Sequence, residues 1–225
     1  MSVSAVKGAT SSRGLFIVLE GGEGSGKTTQ AALLTDWLNG MGVPHRLGRE
    51  PGGTPVGEAI RELLLEKRDL KMPARTELLL MLAARAAFVS DVVRPALEEG
   101  RVMIADRFEY STFVYQGIGR DLGLERTREL NGFATDGLQP DLVLVLDVPP
   151  GEGVRRQREG GKMADRIEGE GEAFMARIRD GYRKLAAGDP VAHVVPARGE
   201  TMELHLVIRQ ILRRRFPETF GPPEG

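Results

Sequence analysis

Glu20-Gly21-Gly22-Glu23-Gly24-Ser25-Gly26-Lys27-Thr28-Thr29 is the stretch whose reading decides the fold. It satisfies G-x-x-x-x-G-K-[ST], with Gly21, Gly26, Lys27 and Thr28 at the fixed places. Glycines let successive backbone N–H groups turn toward a polyphosphate without Cβ clashes. The N-terminal end of the helix that follows adds a positive field. Lys27 would reach the β- and γ-phosphates, and the Thr28 hydroxyl would ligate Mg²⁺. Gly22, Glu23, Gly24, Ser25 and Thr29 complete the loop. The flanks stand in the required order. Leu15-Phe16-Ile17-Val18-Leu19 reads as a buried strand, and Thr28 to Leu38 as a helix with Ala31, Leu34, Trp37 and Leu38 on one face. Strand, glycine loop and helix together specify a site for a nucleoside triphosphate.

Working outward, the periodicity alternates strand and helix. Val43 to Leu47 is a short strand near an edge, because Pro44 cannot donate to a ladder. Arg49-Glu50-Pro51-Gly52-Gly53-Thr54-Pro55 is a turn cluster, followed by a helix with Val56, Ile60, Leu63 and Leu64 at helical spacing. Pro73 opens a long apolar helix that Pro95 ends or kinks. Its stripe of Leu78, Met81, Leu82, Val89 and Val92 is interrupted by Arg85. An arginine on a core-facing stripe is costly unless paired. Arg85 is therefore either a snorkelling or structurally paired side chain, or a guanidinium fork meeting an anion in a cavity.

Val102 to Asp106 is the third strand, ending in Asp106-Arg107. Beyond a strand's carboxyl end that pair suits Mg²⁺ and phosphate, or a plain internal ion pair. Ser111, Thr112, Tyr115 and Gln116 follow, with hydroxyl and amide groups able to read a base or sugar. Leu142 to Val148 is an apolar strand covered on both faces. Next comes a basic run containing Arg155, Arg156 and Arg158, with Gly160 and Gly161 after it. Such a run is a solvated face or, since glycines let it move, a lid. A helix from about Glu172 to Ala186, a strand from Val191 to Val195 and a helix from about Glu200 to Arg214 complete the pattern, the last burying Leu204, Val207, Ile208, Ile211 and Leu212. The expected fold is α/β: a five-stranded parallel sheet with helices on both faces, of the P-loop NTPase class.

Composition sets the outer limits. Thirty-one basic residues against 32 acidic give a net charge of −1 over 225 residues. That balance argues against a dedicated nucleic-acid or membrane-surface binder. Cysteine is absent, so no disulfide or thiolate metal site exists. Three histidines lack metal-ligand spacing, and no apolar run approaches a membrane span. The chain reads as one domain over 14–215, with flexible termini at 1–13 and 216–225.

With those residues in place, the chain resembles the thymidylate kinases of the nucleoside monophosphate kinase family over about residues 14–215. The Arg49 to Pro55 segment matches a signature bordering the monophosphate pocket. Thr76 to Arg85 matches the helix whose arginine contacts that monophosphate, and Asp106-Arg107-Phe108 matches a D-R-[YH] motif. Asp165-Arg166-Ile167-Glu168 matches the end of a lid spanning about 151–170. The resemblance implies strand order 2-3-1-4-5, a cytoplasmic homodimer, and transfer of the ATP γ-phosphoryl to dTMP with Mg²⁺ on Thr28 and Asp106. ATP would lie on Gly21 to Thr29. Catalysis would rest on Lys27, Asp106, Arg107, Arg156 and Arg158. Glu23, Arg49, Pro51, Met81, Arg85, Arg107, Ser111, Thr112, Tyr115 and Gln116 would bind dTMP, with Arg85 and Arg107 clamping its phosphate. The arginine-rich lid is similar to the bacterial type. Three positions depart from the family pattern: Phe108 for Tyr or His, Gly151 for Glu, and Met81 for a phenylalanine that stacks on thymine.

Two other functions fit parts of the pattern. A deoxynucleoside kinase shares the loop and a D-R motif, but needs a carboxylate base and has less call for two arginines on its acceptor. A GTPase-type switch would need N-K-x-D, which the sequence lacks.

Overall fold

A computed structural model describes residues 13–66, 70–159 and 171–223. Its strands are β1 (Phe16–Glu20), β2 (His45–Arg49), β3 (Val102–Asp106), β4 (Leu142–Asp147) and β5 (Ala192–Pro196). They form one parallel sheet in the order β2-β3-β1-β4-β5, the class and order expected. The helices are α1 (Lys27–Met41), α2 (Pro55–Arg61), α3 (Ala74–Phe88), α4 (Arg94–Glu98) and α5 (Glu109–Thr112), then α6 (Leu124–Thr135), α7 (Pro150–Glu159), α8 (Glu172–Ala187), α9 (Thr201–Arg215) and α10 (Pro217–Phe220).

Because successive strand residues face opposite sides, the sheet separates two apolar layers. Phe16, Val18, Met103, Ala105, Val143 and Val145 pack under Phe88, Val89, Val92, Val114, Ile178 and Tyr182. Ile17, Leu19, Ile104, Leu142, Leu144 and Leu146 pack under α1 and α9, through Ala31, Leu34, Leu38, Leu204, Ile208 and Leu212. Every residue of β1 is buried, as its unbroken apolar run requires. In the sheet's centre, Leu19 stands opposite Asp106 on one side and Leu144 on the other. The loop after β1 thus lies beside the ends of both neighbours.

Four local expectations are corrected or narrowed. Of the two outcomes expected at Pro95, an end or a kink, the end does not occur: the helical path runs on through a π-helical stretch, Val89–Val93, into α4, which carries the proline. Val56 and Leu63 are 56 % and 41 % exposed, and Val207 on α9 is 45 % exposed, so the buried stripes there are narrower than the spacing suggested. Phe216 to Phe220 is not a frayed tail. Phe220 is fully buried and stacks on Trp37 with ring centroids 5.6 Å apart. Arg13, expected in a flexible terminus, pairs with Asp141 at 3.0 Å. The basic run forms helix α7 through Glu159, while the lid-end residues Asp165 to Glu168 lie outside the described residues.

Candidate active site

The carboxyl ends of β1, β2 and β3 open onto a cavity of about 900 Å³. Glu23, Gly24, Gly26, Lys27, Thr28 and Thr29 line it from the glycine loop, Arg49 from the end of β2 and Pro51 from the turn after it. Met81 and Arg85 enter from α3, Asp106 and Arg107 from β3 and its exit, and Ser111, Thr112, Tyr115 and Gln116 from the segment after it. Arg156 reaches the cavity from α7. Arg158 is exposed on the same helix and is not part of the lining. Gly21, Gly22 and Ser25 are not part of the lining either, and support Lys27 by hydrogen bonds instead.

The loop's geometry follows from its glycines. Gly21, Gly24 and Gly26 have φ of 136°, 66° and 90°, a region that a Cβ disfavours. At Gly24 space adds a second reason: a Cβ there would meet the carbonyl oxygen of Gly153 at 2.1 Å. The first turn of α7 therefore sits backbone to backbone on the loop. Gly26 caps α1 without a side-chain acceptor, so the helix's first N–H groups stay open to an anion. Lys27 is only 6 % exposed. Its Nζ donates to the carbonyls of Gly21 and Gly22 at 3.0 and 2.8 Å, and to Ser25 Oγ at 3.3 Å. Burial, with Arg107 adding repulsion, lowers its pKa to about 8. Beside it, Thr28 Oγ1 donates to Asp106 Oδ2 at 2.6 Å.

Arg107 takes a backbone conformation rare for a residue with a side chain, φ 74°. Its N–H donates to Leu19 O at 2.9 Å, which turns the chain sharply off β3. The guanidinium forms an ion pair with Glu23. It also donates to Ser111 Oγ at 3.1 Å, Gly21 O at 3.3 Å and Tyr182 Oη at 3.4 Å. Its centre lies 5.5 Å from the Tyr115 ring centroid.

Arg85 is held differently. It is 2 % exposed. Nε donates to Glu50 Oε2, one terminal nitrogen to Thr112 Oγ1 and Asn131 Oδ1, and the other to Phe108 O, each at 2.8 Å. Glu50 also lies 2.6 Å from that last nitrogen, closing a buried ion pair. Burial pushes the Glu50 carboxyl up, and Arg85 pulls it back. A fork whose donors all meet protein acceptors, a buried carboxylate among them, is an internally paired arginine. It matches the structural pairing that the apolar stripe left open.

Sequence reasoning passed over the residues that hold these arginines. Glu50 had only its place in the turn motif. Asn131 had none, because its partner Arg85 lies 46 positions away. Glu77 is buried and accepts from Gln116 Nε2 at 2.8 Å, which orients that amide. Glu20 is the one acid in the apolar β1, a signal present in the sequence.

The thymidylate kinase family model matches residues 19–208. A thymidylate kinase from Fervidobacterium nodosum is 44% identical over 197 residues, covering 88% of this chain and 98% of that protein. One from Pseudomonas fluorescens is 44% identical over 206 residues, with 89% and 98% covered. The crystal structure of thymidylate kinase from Ehrlichia chaffeensis superposes with a TM-score of 0.73 at 30% identity, over 89% of this chain and 99% of that one. A match running from the end of β1 through the glycine loop, both arginines and the other four strands leaves one conclusion: this chain belongs to the thymidylate kinase family.

Proposed function

We propose that the chain transfers the γ-phosphoryl group of ATP to dTMP, giving dTDP and ADP. The observation that carries this is a single cavity in which a triphosphate-binding loop and Arg107 face one another. Lys27 and the open first turn of α1 bind the β- and γ-phosphates. Arg107, with Arg49 at the end of β2, binds the acceptor phosphate. That phosphate is already ionised, so its oxygen attacks in line without a strong general base, and catalysis is positioning plus charge stabilisation. Arg156 stands over the same space from α7 and would stabilise the charge spreading over the transferred group. Glu23 occupies the Arg107 guanidinium, and swings off its glycine loop when a phosphate takes its place.

Mg²⁺ fits the Thr28–Asp106 pair, a hydroxyl and a carboxylate drawn together at 2.6 Å beside the phosphate loop. Among the described residues no group of three or more His, Cys, Asp or Glu could cage an ion. That suits Mg²⁺, which takes one or two protein oxygens and fills its shell with phosphate and water. When bound it would neutralise charge on the phosphate oxygens.

On the acceptor side, Met81, Arg85, Thr112 and Gln116 form the wall against the base. Arg85 there is a fixed polar surface rather than an anion clamp. Family membership favours a monophosphate over a nucleoside as acceptor. A cytoplasmic homodimer belongs to the same proposal. Phe133 on α6 and Leu79 on α3 are 90 % and 58 % exposed on helices that pack together, apolar area that a second copy would cover. No helix among the described residues is long and apolar enough to cross a membrane.

The test is a coupled ADP-release assay with ATP and a panel of nucleoside monophosphates and nucleosides. dTMP should be the best acceptor and thymidine a very poor one. Efficient thymidine turnover would overturn the assignment.

A further inference from the structure

Glu20 is the last residue of β1 and is not part of the cavity lining, yet its carboxylate is bonded on both oxygens. It is fully buried. Oε1 accepts from the backbone N–H of Phe108 at 2.8 Å and of Ser111 at 3.1 Å. Oε2 accepts from Ser111 Oγ at 2.7 Å and Tyr182 Oη at 3.1 Å. Four donors on two oxygens fill a carboxylate's capacity. The same two hydroxyls are the groups that receive the Arg107 guanidinium, and they lie 3.0 Å from each other. Tyr182 comes from α8, more than 160 residues away in sequence, and is 1 % exposed. Burial and then Glu20 raise its pKa, so the hydroxyl keeps its proton and must donate.

We infer that Glu20 and Tyr182 are positioning residues for the reaction, acting through Arg107. Each half of the carboxylate has its own task. Oε1 ties down the backbone that follows Arg107, at Phe108 and Ser111, and so helps impose the left-handed conformation of Arg107, a state that persists only when its surroundings hold it. Oε2 takes the protons of Ser111 and Tyr182, which turns the hydroxyl lone pairs toward Arg107. A hydroxyl whose proton is spent on Glu20 can only accept from a guanidinium, and that fixes the plane in which the fork is presented. Replacing Glu20 by Gln keeps Oε1 for the backbone, whose N–H groups cannot reverse. It puts an NH₂ on the hydroxyl side, where both hydroxyls must reverse or lose a partner. Tyr182→Phe removes one acceptor from Arg107 and one donor from Glu20, with little change in volume.

This rests on the reading that Arg107 binds the acceptor phosphate, and the experiment separates the two. Steady-state kinetics and dTMP titration calorimetry are run on the wild type, Tyr182→Phe, Glu20→Gln, Arg107→Ala and the double variants with Arg107→Ala, with thermal melting of each. Tyr182→Phe should raise the KM and Kd for dTMP about three- to tenfold, the scale of one hydrogen bond, and leave the KM for ATP unchanged. Glu20→Gln should do the same or more. Both effects should vanish once Arg107 is alanine, since nothing is left to position. Losses that add in full to that of Arg107→Ala, or that fall equally on ATP and dTMP, or melting shifts without a change in dTMP affinity, would reduce the pair to a structural role and overturn the inference. If Arg107→Ala itself leaves dTMP affinity unchanged, the phosphate reading fails, and the inference falls with it.

Discussion

Arg85 and Arg107 line the same cavity, and both were expected to hold the acceptor phosphate, but the protein holds their guanidinium groups in opposite ways. Arg85 is enclosed by Glu50, Thr112, Asn131 and the Phe108 carbonyl, from three separate segments, all of them buried or fixed by secondary structure. Arg107 is partly open, and its charge partner Glu23 stands on a glycine loop. An anion-binding arginine needs an internal partner that can be exchanged for the ligand. A partner built into the core cannot leave without exposing a buried charge. On the proposed function, the difference separates an arginine that binds from one that shapes the wall. It also explains why a helical stripe can carry a charge at its centre: Arg85 sits there because Glu50 does.

The largest effect should therefore be one of stability. Arg85→Ala leaves Glu50 charged, buried and alone, a change that typically costs about 3–5 kcal/mol, or a melting temperature lower by roughly 10 °C in a chain of this size. Glu50→Gln added to it should restore part of the loss. If Arg85→Ala melts like the wild type while dTMP turnover collapses, the comparison is broken and Arg85 is a binding residue after all.

Next in size, Arg107→Ala should melt near the wild type and lose about ten- to a hundredfold in kcat/KM for dTMP, the scale of one or two charge-assisted hydrogen bonds. Arg107→Lys should recover only part, because an ammonium lacks the planar fork. Equal recovery would mean that simple charge, not geometry, is what Arg107 supplies.

The third prediction moves to the phosphate loop, where Lys27 is held by two loop carbonyls and the Ser25 hydroxyl. Burial and Arg107 lower its pKa to about 8 in the free enzyme. Below that pH the ammonium is present to meet ATP; above it the proton is lost and the contact with it. kcat/KM for ATP should accordingly fall about tenfold per unit above pH ~8, while a Lys27→Ala variant shows no such limb. A profile flat to pH 10 would show that Lys27 stays charged.

The smallest effect concerns the apolar part of the base wall. Met81 is only partly buried, packs against the cluster of Ile60, Leu64 and Ala84, and lines the cavity. Met81→Phe should lower the dTMP KM by up to about fivefold, the low end of base–aromatic stacking at about 1 kcal/mol. A higher KM in a well-folded variant would mean that the pocket is shaped to methionine.

How much of this was legible in the sequence varies with the range of the interaction. The glycine loop, β1 and α1 are consecutive in the chain, so their pattern carries their geometry. β3's ending at Asp106-Arg107 was readable for the same reason. Val56, Leu63 and Val207 fit helical spacing yet face solvent, because spacing marks a face but not whether another element covers it. Phe220 misled in the reverse sense: a proline- and glycine-rich end reads as unstructured until Trp37 provides a ring to stack on.

By itself, then, the sequence determined the doubly covered parallel sheet, the triphosphate loop and the set of side chains that meet at the strand ends, since each is written in residues close together. Only the tertiary structure decided how those side chains are paired. Arg85 is paired by residues 27, 35 and 46 positions away, and Tyr182 reaches Glu20 across 162. A charge's role depends on what surrounds it in space, and no local pattern records whether its partner can leave.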